Sequence, residues 1–228
     1  MRSLFILIAL CVVSTDVSAQ ISFAPEIGTN LSAYNTKIDG GSIGNRGKGG
    51  IRAGVKADIP FCAHVYIQPG VFYVNTGDIP PQMAGGSNTT LDINTINIPV
   101  HFVYKLKGGR ATTPYFGVGP FLGINISGKA SWSNDVVMPQ NPPPVNHEAL
   151  RVGFGLNDNI KRYDGGISTI LGLQLPNGLY GQILFQRGFV NLKPRGNAEN
   201  SITSFNAAIS LGYSFHCCHK PKKVEEKK

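Results

Sequence analysis

Charge is what this chain has least of. Only 15% of its 228 residues are Asp, Glu, Lys or Arg, where soluble domains average about 25%, which excludes a solvated helical bundle or a long disordered charged segment. Long apolar runs are missing too. The longest, Leu4 to Val13, is about half of the roughly 20 residues with which a helix crosses a bilayer. No heptad or collagen repeat is present, and the 21 Lys and Arg residues form no basic stripe interleaved with aromatics, which argues against a nucleic-acid partner. Glycine is abundant instead, at 28 residues, beside 42% hydrophobic residues. A chain of about one domain with this composition can enter a bilayer only as strands.

The first segment is an address. Met1 and Arg2 precede the apolar stretch Leu4 to Val13, and Val17-Ser18-Ala19 before Gln20 has the small-residue pattern of a cleavage site. Residues 1–19 are expected to be a signal peptide cleaved after Ala19, residues 20–215 a barrel domain, and residues 216–228 a basic periplasmic tail. A lipoprotein signal built on Cys11 is disfavoured, because Leu10 stands where a small residue is required. Cleavage removes one of the four cysteines and leaves the formal net charge at +8, since Arg2 and Asp16 cancel. In an exported compartment disulfides are permitted.

From Ile21 onward the hydrophobic period is two. In Ile202 to Phe215, Phe205, Ala207, Ile209, Leu211, Tyr213 and Phe215 alternate with Ser204, Asn206, Ala208, Ser210, Gly212 and Ser214. A soluble sandwich would carry Lys and Glu on its polar face. Small, hydrogen-bonding residues suit a confined lumen. In Gly50 to Ile59, Ile51, Val55 and Ile59 oppose Arg52, Lys56 and Asp58, and a Lys or Arg facing lipid at mid-bilayer costs about 2–4 kcal/mol, so the charges must turn inward. Six further segments alternate in the same way: Ile21 to Leu31, Ala63 to Asn75, Ile93 to Leu106, Tyr115 to Ile126, Tyr163 to Leu175 and Leu179 to Leu192.

The connections alternate too. Pro60-Phe61-Cys62, Gly108-Gly109 and Pro176-Asn177-Gly178 are short, whereas Ser32 to Gly49, Thr76 to Thr90, Ser127 to about Lys161 and Lys193 to Ser201 are long. Short turns on one side, long loops on the other and an even strand count are the outer-membrane arrangement. The expected fold is all-β: an eight-stranded, antiparallel, up-and-down transmembrane β-barrel. Tyr73, Tyr104, Tyr115, Tyr213 and Phe215 fall near strand ends, where aromatic girdles sit.

Four stretches in order, YIQPGVFYVNTGD (66–78), INIPVHFVYKLK (96–107), PYFGVGPFLGINISGK (114–129) and NIKRYDGGISTILGLQL (159–175), resemble the small eight-stranded outer-membrane barrels known as porin-family or PorT-family proteins. The resemblance spans roughly Ile21 to Phe215. It implies an integral outer-membrane protein, with some relatives serving secretion systems, and it brings no catalytic residue set. The ending Leu211-Gly212-Tyr213-Ser214-Phe215 resembles the last strand that barrel-insertion machinery reads, although here thirteen residues follow it. An eight-stranded barrel is just wide enough inside for its own side chains, so a general aqueous pore is not expected despite the name porin.

Glu26, Arg52, Lys56, Asp58 and Lys105 are expected to point inward as a lumenal charge network, with Glu26 paired to Arg52. His64 and His101 are candidates for the same interior. His147 and Glu148 share the longest connection with Asp135, yet no nucleophile motif accompanies them, and no catalysis and no cofactor are expected. Cys62 can pair with Cys217 or Cys218, leaving one thiol free, and His216-Cys217-Cys218-His219 is a weak metal candidate, since adjacent cysteines do not by themselves close a tetrahedral site. Expected partners are outer-membrane lipid and lipopolysaccharide, the insertion machinery at Phe215, and a protein at loop 127–158, which holds Trp132 and Pro142-Pro143-Pro144. The function expected is structural, adhesive or assembly-related. Two alternatives are an accessory of a secretion or surface-maturation system and a soluble exported ligand-binding barrel.

Overall fold

Alternation at period two sends successive side chains to opposite faces of a strand, and a sheet with one apolar face must bury it or meet lipid. The computed structural model describes residues 21–43, 46–79, 87–106, 112–134, 145–153 and 159–216. Eight long strands dominate them: β1 Ser22–Ile38, β2 Arg46–Cys62, β3 Val65–Ile79, β4 Ser87–Lys105, β5 Thr113–Asn134, β6 Tyr163–Gln174, β7 Leu179–Gly188 and β8 Ser201–Tyr213. Each pairs antiparallel with its neighbours in the chain, and β8 returns to β1 with Glu26 opposite Gly212 and Lys37 opposite Ser201. The ring is closed and has no unpaired edge across the band where lipid would meet it.

Short pieces decorate the ring. Gly41–Ile43 folds back on β1 through a hairpin in which Asp39 (φ 49°) and Gly40 (φ 78°) take the left-handed conformation. Phe215–His216 resumes after a break at Ser214 and pairs with Ser22 and Phe23. Val145–Leu150 runs beside the upper end of β5, and Val152–Gly153 pairs in parallel with Ile160–Lys161.

The register fixes the tilt. One circuit of paired residues runs Ser22, Asp58 on β2, Gln68 on β3, His101 on β4, Gly119 on β5, Ser168 on β6, Gln186 on β7, Asn206 on β8, and returns to β1 at Ser32, ten residues above its start. Strands staggered this way lean by about 35–45° from the barrel axis. Every residue on the circuit other than glycine is polar and buried.

The apolar side chains face outward. Ile27, Ile209 and Leu211 are 65%, 63% and 61% exposed, and Leu31, Ile51, Val71, Phe116, Leu122, Leu171 and Phe185 share that face. On β1 this face runs from Phe23 to Leu31, which at such a tilt rises roughly 20 Å, close to the ~25 Å apolar band of outer-membrane barrels. Aromatic contacts mark the lower rim, with Tyr104 against Phe116 (5.7 Å between centroids) and Tyr213 against Phe215 (4.8 Å). An apolar exterior around a charged, polar interior is the reverse of a soluble ligand-binding barrel.

Three expectations need correction. Three of the four long connections carry strand in their described parts: β1 continues to Ile38, β4 begins at Ser87, and β5 runs to Asn134 with Val145–Leu150 alongside. Above the apolar band the outward face no longer needs apolar side chains, so the contrast that reveals a strand fades there. The turn after β2 sits at Ala63 and His64, one step later than Pro60-Phe61-Cys62. Tyr115 is no girdle residue. It is 4% exposed and points into the lumen, where its hydroxyl donates to Gln182 Oε1 at 3.0 Å.

Candidate functional site

The lumen is where the chain gathers its buried chemistry. The inward positions of β1, β2 and β4 carry Glu26, Arg52, Lys56, Asp58 and Lys105, and closure of the ring sets β7 against them from the far wall. Arg52 Nε lies 3.3 Å from Glu26 Oε1, and Lys56 Nζ lies 3.5 Å from Glu26 Oε2. Gln182 and Tyr180 donate to the same carboxylate at 3.0 and 3.1 Å. Lys56 Nζ donates to Gln182 Oε1 at 2.6 Å and stands 4.1 Å from the centre of the Tyr180 ring. Lys105 forms a second pair, 2.7 Å from Asp58 Oδ2 and 3.0 Å from Gln174 Oε1, over the ring of Tyr66 at 4.4 Å. Arg52 lays its guanidinium 3.5 Å from the centre of the Phe72 ring.

This layer fills its cross-section. Ala24, Val103, Tyr115, Ile170, Tyr180, Leu184 and Ala208 pack around the ions as one buried cluster, so the charges sit in a medium where unpaired ions would cost several kcal/mol each. Glycine makes the crowding possible. A side chain at Gly54 would meet the Val71 carbonyl and Phe72, and one at Gly119 the backbone of Val100 and His101.

Above the ions the lumen is bridged by neutral groups. His101 Nε2 and Ser168 Oγ are 2.8 Å apart. Asn97 and Gln186 exchange a pair of amide hydrogen bonds at 3.3 Å, and Thr95 donates to Asn125 Oδ1 at 2.8 Å. Higher still, Tyr34, Ile93, Ile160 and Leu192 form a second apolar cluster, flanked by Val152 and Ile202. An ionic layer, a polar layer and an apolar cap thus lie in series along the barrel axis. Between the last two a cavity of ≈ 30 Å³ remains, room for about two waters.

The five charged residues singled out from the sequence all lie in the ionic layer. Tyr180, which the sequence did not single out, and Tyr115, expected in a girdle, belong to it as well. Each has the inward parity of Gln182 and Gly117 on its own strand, a signal obscured by the habit of aromatics at strand ends to sit in girdles. His64 stands apart from the lumen, in the β2–β3 turn, with its ring 5.9 Å from that of outward-facing Tyr104. Cys62 is exposed at the end of β2. Its candidate partners Cys217 and Cys218, with His219, lie outside the described residues, as do Asp135 and residues 1–19, expected from the sequence to be a signal peptide. Glu148 stands exposed on the strand beside β5, and His147 is next to it in the chain. Among the described residues no three His, Cys, Asp or Glu side chains come together as a metal cluster.

The family model described as an outer membrane protein beta-barrel domain matches residues 17–194. Among solved structures, OprG from Pseudomonas aeruginosa superposes with a TM-score of 0.50 and 13% identity, over 87% of this chain and 97% of that one. Ail of Yersinia pestis, solved with the heparin analogue sucrose octasulfate, gives 0.41 and 12% over 86% and 99%. Neisserial surface protein A gives 0.40 and 10% over 86% and 97%. At such identities the likeness is one of fold. No curated protein matches the sequence.

Proposed function

The chain belongs to the outer membrane protein β-barrel domain family, and on that footing we propose that it is a sealed scaffold whose task is to hold a binding surface outside the cell, with no catalysis. The lumenal Glu26, Arg52, Lys56, Asp58 and Lys105 serve as its plug. One observation carries this reading: the barrel is filled along its axis while its strands continue past the apolar band. From Ser87 to Asn94 on β4, from Ser127 to Asn134 on β5, and over Val145–Leu150, the chain builds a three-stranded sheet in which Ser87 pairs with Asn134 and Gly128 with Leu150. Long exposed segments on a rigid barrel are where such folds carry recognition. Outer-membrane lipid and lipopolysaccharide meet the apolar band and its rim. Insertion machinery reads the last strand at Phe215, and the basic segment 216–228 stays in the periplasm.

The test replaces the upper sheet, residues 88–93 and 128–149, by short Asn-Gly turns and follows surface attachment and self-association of cells. Loss of attachment, with a barrel that still migrates differently on gels before and after boiling, is the expected result. Unchanged attachment contradicts the proposal. If exported proteins then fail to reach the surface, the role is that of an export accessory.

A further inference from the structure

The small cavity beneath the apolar cap holds a buried acid with no cation on the wall around it. The buried Arg52 and Lys56 and the partly exposed Lys105 all belong to the ionic layer, where they outnumber Glu26 and Asp58 by one positive charge. The cavity wall carries one carboxylate, Asp164 on β6, only 8% exposed, and no Lys, Arg or His. Asp164 Oδ1 accepts from the Gly165 amide at 2.8 Å, and Oδ2 accepts from the Ser204 hydroxyl of β8. A carboxylate this deep without a cation on the wall is costly to keep ionised unless a counter-charge is brought in.

Two further features point to an occupant. The Asn206 side chain is 7% exposed and lines the cavity, and its Oδ1 accepts no hydrogen bond although its amide nitrogen donates to Gln186 Oε1 at 3.4 Å. A buried acceptor left open is uncommon and calls for a partner. Glycines also clear the space around the acid. On β5, a Cβ at Gly123 would lie 3.3 Å from that of Asp164. On β7, a Cβ at Gly188 would strike both the Asp164 carboxylate and the Ser204 hydroxyl. Side chains at these two positions would crowd the acid; their absence leaves a space of ≈ 30 Å³ whose wall mixes Asp164, Ser204 and Asn206 with Val74, Phe121 and Phe205.

We propose that this chamber binds one hard cation of the calcium type, through the Asp164 carboxylate, the Asn206 amide oxygen and the Ser204 hydroxyl, with water completing the shell. Carboxylate, amide carbonyl and hydroxyl oxygens suit such ions, and calcium tolerates an irregular shell of six to eight oxygens, where magnesium demands a near-ideal octahedron and keeps its waters. A single carboxylate among neutral ligands places the affinity at the weak end, about 0.1–1 mM. Water alone would complete Asn206 but bring no charge to Asp164, which would then have to hold a proton. The inference is independent of what the outer surface binds.

Terbium(III) tests it, because the ion occupies calcium sites and its emission is excited by a nearby tyrosine, here Tyr34 on the cavity wall. The full chain is purified from outer membranes in detergent, and each variant is checked for the gel shift on boiling. The expected result is saturable emission displaced by calcium, weakened at least tenfold in Asp164→Asn, strengthened in Asn206→Asp, and unchanged in Asp92→Asn, which alters the carboxylate paired with Lys48 elsewhere on the chain. Emission that calcium does not displace, or that falls only in Asp92→Asn, overturns the proposal. So does equal affinity across wild type, Asp164→Asn and Asn206→Asp, which would leave ordered water as the occupant.

Discussion

Glu26 is the residue on which the interior turns. Its two oxygens receive Arg52, Lys56, Tyr180 and Gln182, so removing it strands two cations in a dry cross-section. Breaking a buried ion pair from one side costs about 3–5 kcal/mol, because the remaining charge keeps its desolvation penalty. Glu26→Ala should therefore lower the urea midpoint of the detergent-solubilised barrel by an amount equivalent to about 3–5 kcal/mol. Replacing Glu26, Arg52 and Lys56 together by apolar residues of similar size should cost much less. An unchanged midpoint in the single variant would show that the ions are solvated, and hence that water threads the layer.

At the scale of the strand, the account depends on which face meets lipid. Ile209 lies midway along β8 and is 63% exposed. In a bilayer, Ile209→Arg should cost about 2–4 kcal/mol, read as a fall in the folded fraction on refolding into lipid vesicles. On a soluble barrel the same exposed substitution would fall within about 0.5 kcal/mol of neutral. This face was legible in the sequence because lipid demands strict alternation: Ile51, Val55 and Ile59 against Arg52, Lys56 and Asp58 can be arranged in only one way. Two things escaped that logic. Between Asn94 and Thr95 the register slips, with Asn94 opposite Ser127 and Thr95 opposite Asn125, leaving Ile126 as an extra residue. A bulge carries no strong local signature in a segment of mixed polarity. The upper parts of β4 and β5, which no longer face lipid, looked like loop for the same lack of contrast.

The molecule as a whole is a tilted ring that encloses three layers in series, and their order reflects closure more than local sequence. The partnership of Lys56 with Gln182 spans 126 positions, and that of Asp164 with Ser204 crosses an intervening strand through the gap at Gly188. Parity could say that these residues point inward. Which of them meet depends on the ten-residue stagger, a property of the closed sheet that no single segment displays. Eight strands leave an interior the size of their own side chains, and here that interior is occupied from the Lys105–Asp58 pair up to Leu192.

The most direct test of a filled lumen is electrical. The chain, purified from outer membranes in detergent and confirmed as a barrel by its gel shift on boiling, is added to planar lipid bilayers in concentrated potassium chloride, and single-channel current is recorded. The account predicts a quiet bilayer, without sustained open steps. Long-lived, ohmic steps at the same protein concentration would mean an aqueous path through the Glu26, Arg52 and Lys56 layer, and would contradict it.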